Sequence, residues 1–258
     1  MRHDQISPVP QLTPITKGII LTCVVTYFLE VVLTQVFKVA PGGYPINEIF
    51  GLVPRFVVTQ FWLWQFVTYI FLHGHPLHIL LNMLILWYFG SEIEQRMGKK
   101  EFFFYFFLCG IGAGLFNFAV NAVLSGGDVS LQTSPMIGAS GAIFGILAAY
   151  GVFFGDRYFL VFFLFPMKAK YFVLVMAGIE LLMGLENKGS DNVAHFAHIG
   201  GMIVGAIYMY FRYVRPSLSR ITNRKDADRE RLKRQFTLIV NEKEKTKDDK
   251  DEKGPYWN

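Results

Sequence analysis

The sequence predicts an all-α fold, a polytopic bundle of six membrane-spanning helices. Three observations predict it. The chain of 258 residues is 52% hydrophobic and only 17% charged, whereas soluble domains carry about a quarter charged residues. Six apolar stretches recur along it, and a spanning helix needs roughly 20 mostly apolar residues. Lys and Arg concentrate on alternate connections between those stretches, the bias that cytoplasmic loops carry.

The first span runs over about 18–37, after polar, proline-containing residues 1–16. It is long enough to cross, so no cleavable leader is expected. The connection 38–76 is rich in aromatics (Phe56, Phe61, Trp62, Trp64) and reads as an interfacial, partly inserted loop, since amphipathic rings favour the headgroup level. The remaining spans fall at about 77–91, 102–124, 138–155, 169–185 and 193–213. Segment 158–167 is apolar but ends in Pro166-Met167-Lys168, and is expected to be a membrane-hugging connector. Both cysteines, Cys23 and Cys109, lie in apolar stretches and read as buried thiols.

With the N-terminus inside, the inner segments hold thirteen Lys/Arg and the outer ones only Lys38, Arg55 and Lys188. Both termini are therefore expected on the cytoplasmic side. The expected organisation is a short N-terminus over 1–16, a membrane domain over 17–213 and a charged, disordered tail over 214–258. That tail alternates in sign, as in Glu242-Lys243-Glu244-Lys245, the mark of solvated segments. From Arg212 to Arg234 it carries nine Lys/Arg against three Asp/Glu. Attraction to anionic lipid, about 1 kcal/mol per nearby basic residue, fits this stretch, and 226–240 has the composition of a short helix. No nucleic-acid motif accompanies the net charge of +5, so no nucleic-acid partner is expected.

Spans two, four and six all run from outside to inside and can be measured from their inner charged edges at about 1.5 Å per residue. His78 lies 14 residues before Glu92, Ser140 lies 16 before Asp156, and His198 lies 14 before Arg212. Their heights are then about 21, 24 and 21 Å. In a hydrocarbon core of roughly 30 Å all three sit some 6–9 Å below the outer surface. Gly141 and Gly145 on span four, with Gly201 and Gly205 on span six, form small-xxx-small pairs of the kind that let helices approach closely in lipid.

Polar side chains inside apolar helices are costly and mark functional sites. Serine needs an adjacent base to act as a nucleophile, and histidine is the usual one. Ser140 and His198 fit those roles. Acyl transfer also needs donors aimed at the developing oxyanion. His78 and Asn82 share a helix face four residues apart, and the backbone N–H of Ser140 opens a helix, where N–H groups are unpaired. Glu30 and Glu180 fall mid-span, outside this layer, so the expectation is a Ser–His dyad without an orienting acid, with His198 held by packing on Phe144.

These marks resemble the rhomboid intramembrane serine proteases. They are His78-Ile79-Leu80-Leu81-Asn82, Trp87-Tyr88-Phe89-Gly90 with Glu94, Gly138-Ala139-Ser140-Gly141-Ala142-Ile143-Phe144-Gly145, and Ala197-His198 with Gly201, in order on alternate spans from about Lys17 to Tyr213. The resemblance implies a six-helix rhomboid-like bundle, with Ser140 as nucleophile, His198 as base and His78 and Asn82 as oxyanion donors. It also implies transmembrane protein substrates, cut near helix-breaking outer ends, and admission past span five and the loop before Ser140. Phe144 stands where some members have tyrosine, which keeps a stacking ring without a hydroxyl.

Other classes fit less well. A metal or haem site at His73, His75 and His78 lacks a Cys or carboxylate cluster and any HExxH spacing, so neither metal nor cofactor is expected. The resemblance implies a histidine at His73 as a structural hydrogen-bonder or water-holding group, and His195 reads as a polar lining residue. A transporter would show repeated halves and paired ionisable groups along a path. A non-proteolytic relative that binds membrane helices is the alternative, but its usual sign is loss of the serine or histidine, and both are present. The compact body points to a prokaryotic plasma membrane.

Overall fold

The structure is a computed structural model that describes residues 10–36, 43–124, 126, 133–161, 165–186, 192–218, 225 and 228–235. The chain divides into two units, Met1–Met209 and Tyr210–Asn258. Arg2, Lys38 and Lys188 of the charge count, the stretch 127–132 and most of the tail lie outside the described residues.

Helix α1 (Pro14–Val31) opens on a proline, whose missing N–H and fixed φ suit a first turn. Its other first-turn donors are received by a residue distant in sequence. The buried Glu94 carboxylate accepts from the Ile15 and Thr16 amides at 3.0 and 2.8 Å and from the Thr16 hydroxyl at 3.0 Å. The Thr13 hydroxyl donates to it as well. A π turn, Val32–Val36, follows α1.

The aromatic connection resolves into short helices α2 (Ile46–Phe50), α3 (Pro54–Gln60) and α4 (Gln65–Thr68), then a 3-10 turn, Tyr69–Phe71. Buried Gln65 binds the segment to itself, accepting from the Val53 amide at 3.0 Å and donating to the Glu48 carbonyl at 2.7 Å. Next come α5 (Pro76–Ile85), a π turn (Leu86–Gly90) and α6 (Ser91–Met97), which run together as one apolar helix over Pro76–Met97. Gly98, at φ +86°, ends it, and α7 (Lys99–Leu124) starts at once.

Helix α8 (Ser140–Phe154) is buried continuously from Gly141 to Tyr150. It packs against α7, against α9 (Ala169–Glu186) and most extensively against α10 (Asn192–Met209). Between α8 and α9 lies a two-stranded antiparallel hairpin, β1 (Tyr158–Val161) and β2 (Phe165–Lys168), registered from Tyr158↔Lys168 to Val161↔Phe165. The fold is therefore mostly helical but not wholly so, and the expected membrane-hugging connector is this hairpin.

The glycine pairs act as their spacing predicts. A Cβ on Gly201 would come 1.9 Å from the Gly141 carbonyl oxygen, and one on Gly205 would come 2.9 Å from the Gly145 backbone. The Tyr105 hydroxyl, from α7, donates to the Gly145 carbonyl at 2.6 Å beside this seam. Outward faces are the reverse of this core: Leu21 and Phe28 on α1, Phe103 and Phe104 on α7, and Leu174, Leu182 and Leu185 on α9 are all exposed. Three described helices, Pro14–Thr34, Pro76–Met97 and Lys99–Val123, are long and apolar enough to cross a membrane, and Ser140–Phe154 is a shorter apolar helix. In the second unit, Tyr210–Val214 forms a π turn, and 215–218 and 228–235 are helical; the latter falls within the stretch expected to be a short helix.

Candidate active site

Ser140 is the first residue of α8, where N–H groups lack intrahelical acceptors and partial positive charge collects. The strand-like segment before it is tied down at two points. Leu52 and Met136 exchange backbone hydrogen bonds of 2.9 Å, and the Gly138 amide donates to the Tyr69 carbonyl at 2.9 Å. Gly138 has a φ of +126°, and a Cβ there would lie 2.9 Å from Cε1 and Nε2 of His78. Only glycine meets both demands. The His78 ring thereby closes over the backbone two residues before the serine.

His198 comes from α10. Its Nε2 lies 2.7 Å from Ser140 Oγ, and its ring stacks on Phe144 at 4.3 Å between centroids and 14° between planes. Both the pairing and the stacking partner match the expectation from sequence. On the other side, His78, Asn82 and Ser140 line one cavity of about 370 Å³ with Phe144, Phe172 and Met176. Asn82 donates one amide N–H to the His78 carbonyl at 2.9 Å, which leaves its second N–H available. His75 caps α5, its Nδ1 accepting from the His78 amide at 3.1 Å. His73 is buried, with Nδ1 3.3 Å from the Phe71 carbonyl and its ring 5.1 Å from that of His78. Burial first, and the His78 imidazole second, pull its pKa down to about 4.

One expectation is corrected. A carboxylate does reach the layer of the serine and histidine: Glu180 Oε2, from α9, lies 2.9 Å from His198 Nδ1 and 2.6 Å from His195 Nδ1. Heights counted along upright helices put Glu180 ten residues, or about 15 Å, above Lys170, below the other groups. That count takes each group at the height of its Cα and ignores the reach of a glutamate side chain. The same count applied to span five, with that reach added, would have brought the residue into consideration. His195 is thus a carboxylate partner rather than a lining group alone.

Glu180, His195 and His198 also hold ligand-type atoms within 4.8 Å of one another, the composition of a two-histidine, one-carboxylate site. His195 already binds one carboxylate oxygen, which also lies 2.9 Å from His198 Nδ1, so a cation would have to displace those contacts.

Apolar belts on the outside of the helices, with serine, imidazole and carboxylate groups meeting in their interior, define an integral membrane protein of the helical class. The description of the Rhomboid domain matches residues 60–215, more than half of the chain, and the protein belongs to the rhomboid family. It is 27% identical over 205 residues to RHOMBOID-like protein 2 of Arabidopsis thaliana, covering 78% of this chain and 59% of that one. It is 25% identical over 195 residues to Rhomboid protease GlpG of Salmonella typhi (74% and 60%) and 26% identical over 203 residues to that of Yersinia pestis, strain Pestoides F (78% and 63%). The matched stretch thus spans about three-fifths of each of these relatives.

Proposed function

We propose that this protein is an intramembrane serine endopeptidase that hydrolyses peptide bonds in or near the transmembrane segments of membrane proteins. The observation that carries this is the 2.7 Å approach of His198 Nε2 to Ser140 Oγ. The pair lies beside a cavity shared with His78 and Asn82, in a family whose matched members include proteins named proteases.

In the proposed reaction Ser140 Oγ attacks the scissile carbonyl while His198 Nε2 takes its proton. The tetrahedral oxyanion develops opposite the Asn82 amide, the His78 ring N–H and the Ser140 backbone N–H, donors that are worth most where water is excluded. His198 then gives the proton to the leaving amine, and water repeats the sequence on the acyl-serine. The 15 residues of α8 reach about 22 Å, short of a core of roughly 30 Å. A helix of that length supports a serine sunk below one face, with water entering from that side. We further propose six spans over the domain 17–213, both termini cytoplasmic, residence in a prokaryotic plasma membrane, and no need for metal or cofactor.

Cleavage of a model transmembrane substrate in liposomes tests the reading. Wild type is expected to cut, and Ser140→Ala and His198→Ala to lose activity by at least about 10⁴-fold. Asn82→Ala is expected to lower kcat by about 10²–10³-fold with little effect on thermal unfolding. Folded wild type that cuts no more than Ser140→Ala across several substrates would transfer the proposal to the helix-binding alternative.

A further inference from the structure

We propose that Glu180 is a positioning residue for His198: its carboxylate, carried on α9, holds the imidazole with Nδ1 protonated and Nε2 turned to Ser140, so the catalytic pair is complete only while α9 is docked on α10. This rests on the reading of Ser140 and His198 as nucleophile and base.

The geometry of the ring requires such a group. Stacking on Phe144 at 14° fixes the plane of the imidazole but not its rotation within that plane. Contacts at both nitrogens supply the missing constraint, Nε2 at 2.7 Å from Ser140 and Nδ1 at 2.9 Å from Glu180. A carboxylate only accepts, so it selects the tautomer with the proton on Nδ1. That leaves the Nε2 lone pair free to take the serine proton. Nδ1 is fully buried with no hydrogen-bond partner among the described residues, and the Glu180 carboxylate, 2.9 Å away, is placed to accept its proton. Without that carboxylate the bias toward the reactive tautomer is lost.

His195 completes the device. Its Nδ1 holds the same Oε2 at 2.6 Å, and its ring stands at 89° to that of His198. The carboxylate is therefore anchored from one side and presented to His198 on the other. His195 and His198 are three residues apart on α10 and so share a face, whereas Glu180 arrives from a different helix. Movement of α9 away from α10 separates Glu180 from both rings at once. Helix docking and readiness of the base are thus one event.

The test compares wild type, Ser140→Ala, Glu180→Gln, Glu180→Asp and His195→Gln in liposomes by three readouts. These are the rate of Ser140 labelling by a small fluorophosphonate, kcat and KM for a transmembrane peptide, and the thermal unfolding midpoint. Glu180→Gln is expected to slow labelling and kcat together by about 10–100-fold, with KM within about twofold of wild type. Glu180→Asp should recover part of the loss, and His195→Gln should lose less than Glu180→Gln. A Glu180→Gln protein that labels and turns over like wild type overturns the proposal. So does one in which only KM or the unfolding midpoint moves, or in which cutting accelerates while labelling stays constant, since those mark a strut or latch between helices. If Glu180→Gln does not fold, the Asp and His195 variants carry the same comparison. Wild type that labels no faster than Ser140→Ala defeats the underlying nucleophile assignment instead.

Discussion

His73 sits in surroundings that oppose protonation. It is buried, its Nε2 has no hydrogen-bond partner among the described residues, and its pKa falls from the ordinary 6.5 to about 4. Between those values the unfolded chain binds a proton that the folded chain refuses. Stability is therefore full above the unfolded pKa and declines as pH falls toward the folded one, by at most about 1.4 kcal/mol per pH unit. Thermal unfolding in detergent should show the midpoint dropping on acidification, and His73→Asn should flatten that slope. An unchanged slope assigns the acid loss to another group. At this scale the sequence was informative wherever reactive side chains are rare: a serine and histidines inside apolar helices stand out because lipid makes them expensive. Ser140, His198, His78 and Asn82 were legible for that reason, and the structure brings them to one place. Gly138 stood out only as part of a motif; its backbone role did not, because a φ of +126° leaves no trace in a string of letters. Glu180 was passed over because height along an upright helix is a poor guide to where a long side chain ends.

Among elements, the α8–α10 seam is the most constrained. Gly201→Ala should cost about 1–3 kcal/mol by overpacking, because its methyl would meet backbone rather than a movable side chain. Ser140 labelling should fall with it, since the same seam sets the distance between serine and base. Gly18→Ala on α1, where nothing lies within 4 Å of a new Cβ, is the control and should be neutral or slightly stabilising. Paired unfolding curves and labelling rates decide the matter; equal loss in both variants would mean the seam can relax. The small-xxx-small spacing that identifies this contact is local and periodic, hence readable from sequence. The β1–β2 hairpin is neither. A short apolar run gives no period that separates strand from connector, and Pro166 argues against a central strand but not against an edge. In a two-stranded sheet every strand is an edge.

For the whole molecule, the decisive quantity is which side of the membrane each connection faces. Because Cys23 and Cys109 are fully buried, introduced cysteines can report this against a quiet background. In intact cells a membrane-impermeant maleimide should label Thr133→Cys, ahead of α8, and leave Lys99→Cys, ahead of α7, unlabelled until the cells are opened. The reverse pattern would invert the proposed orientation. The expected orientation rests on charge asymmetry and needs no knowledge of packing, since that bias reflects insertion energetics rather than tertiary contacts. Helix boundaries were harder to read: α1 begins at Pro14 rather than about Gly18 because a proline and a distant carboxylate fix its first turn.

That carboxylate has a consequence for how the protein is made. Glu94 supplies the acceptors for the first turn of α1, yet it is synthesised more than sixty residues after that helix ends. A ribosome that has released only the first helix into the bilayer has produced a segment whose leading amides have no lasting partner. The first helix can enter the lipid alone, but it docks only when the second has followed it. Assembly of the amino-terminal half is then expected to wait for the second helix, and a nascent chain halted just short of Glu94 to hold a first helix that is inserted but undocked.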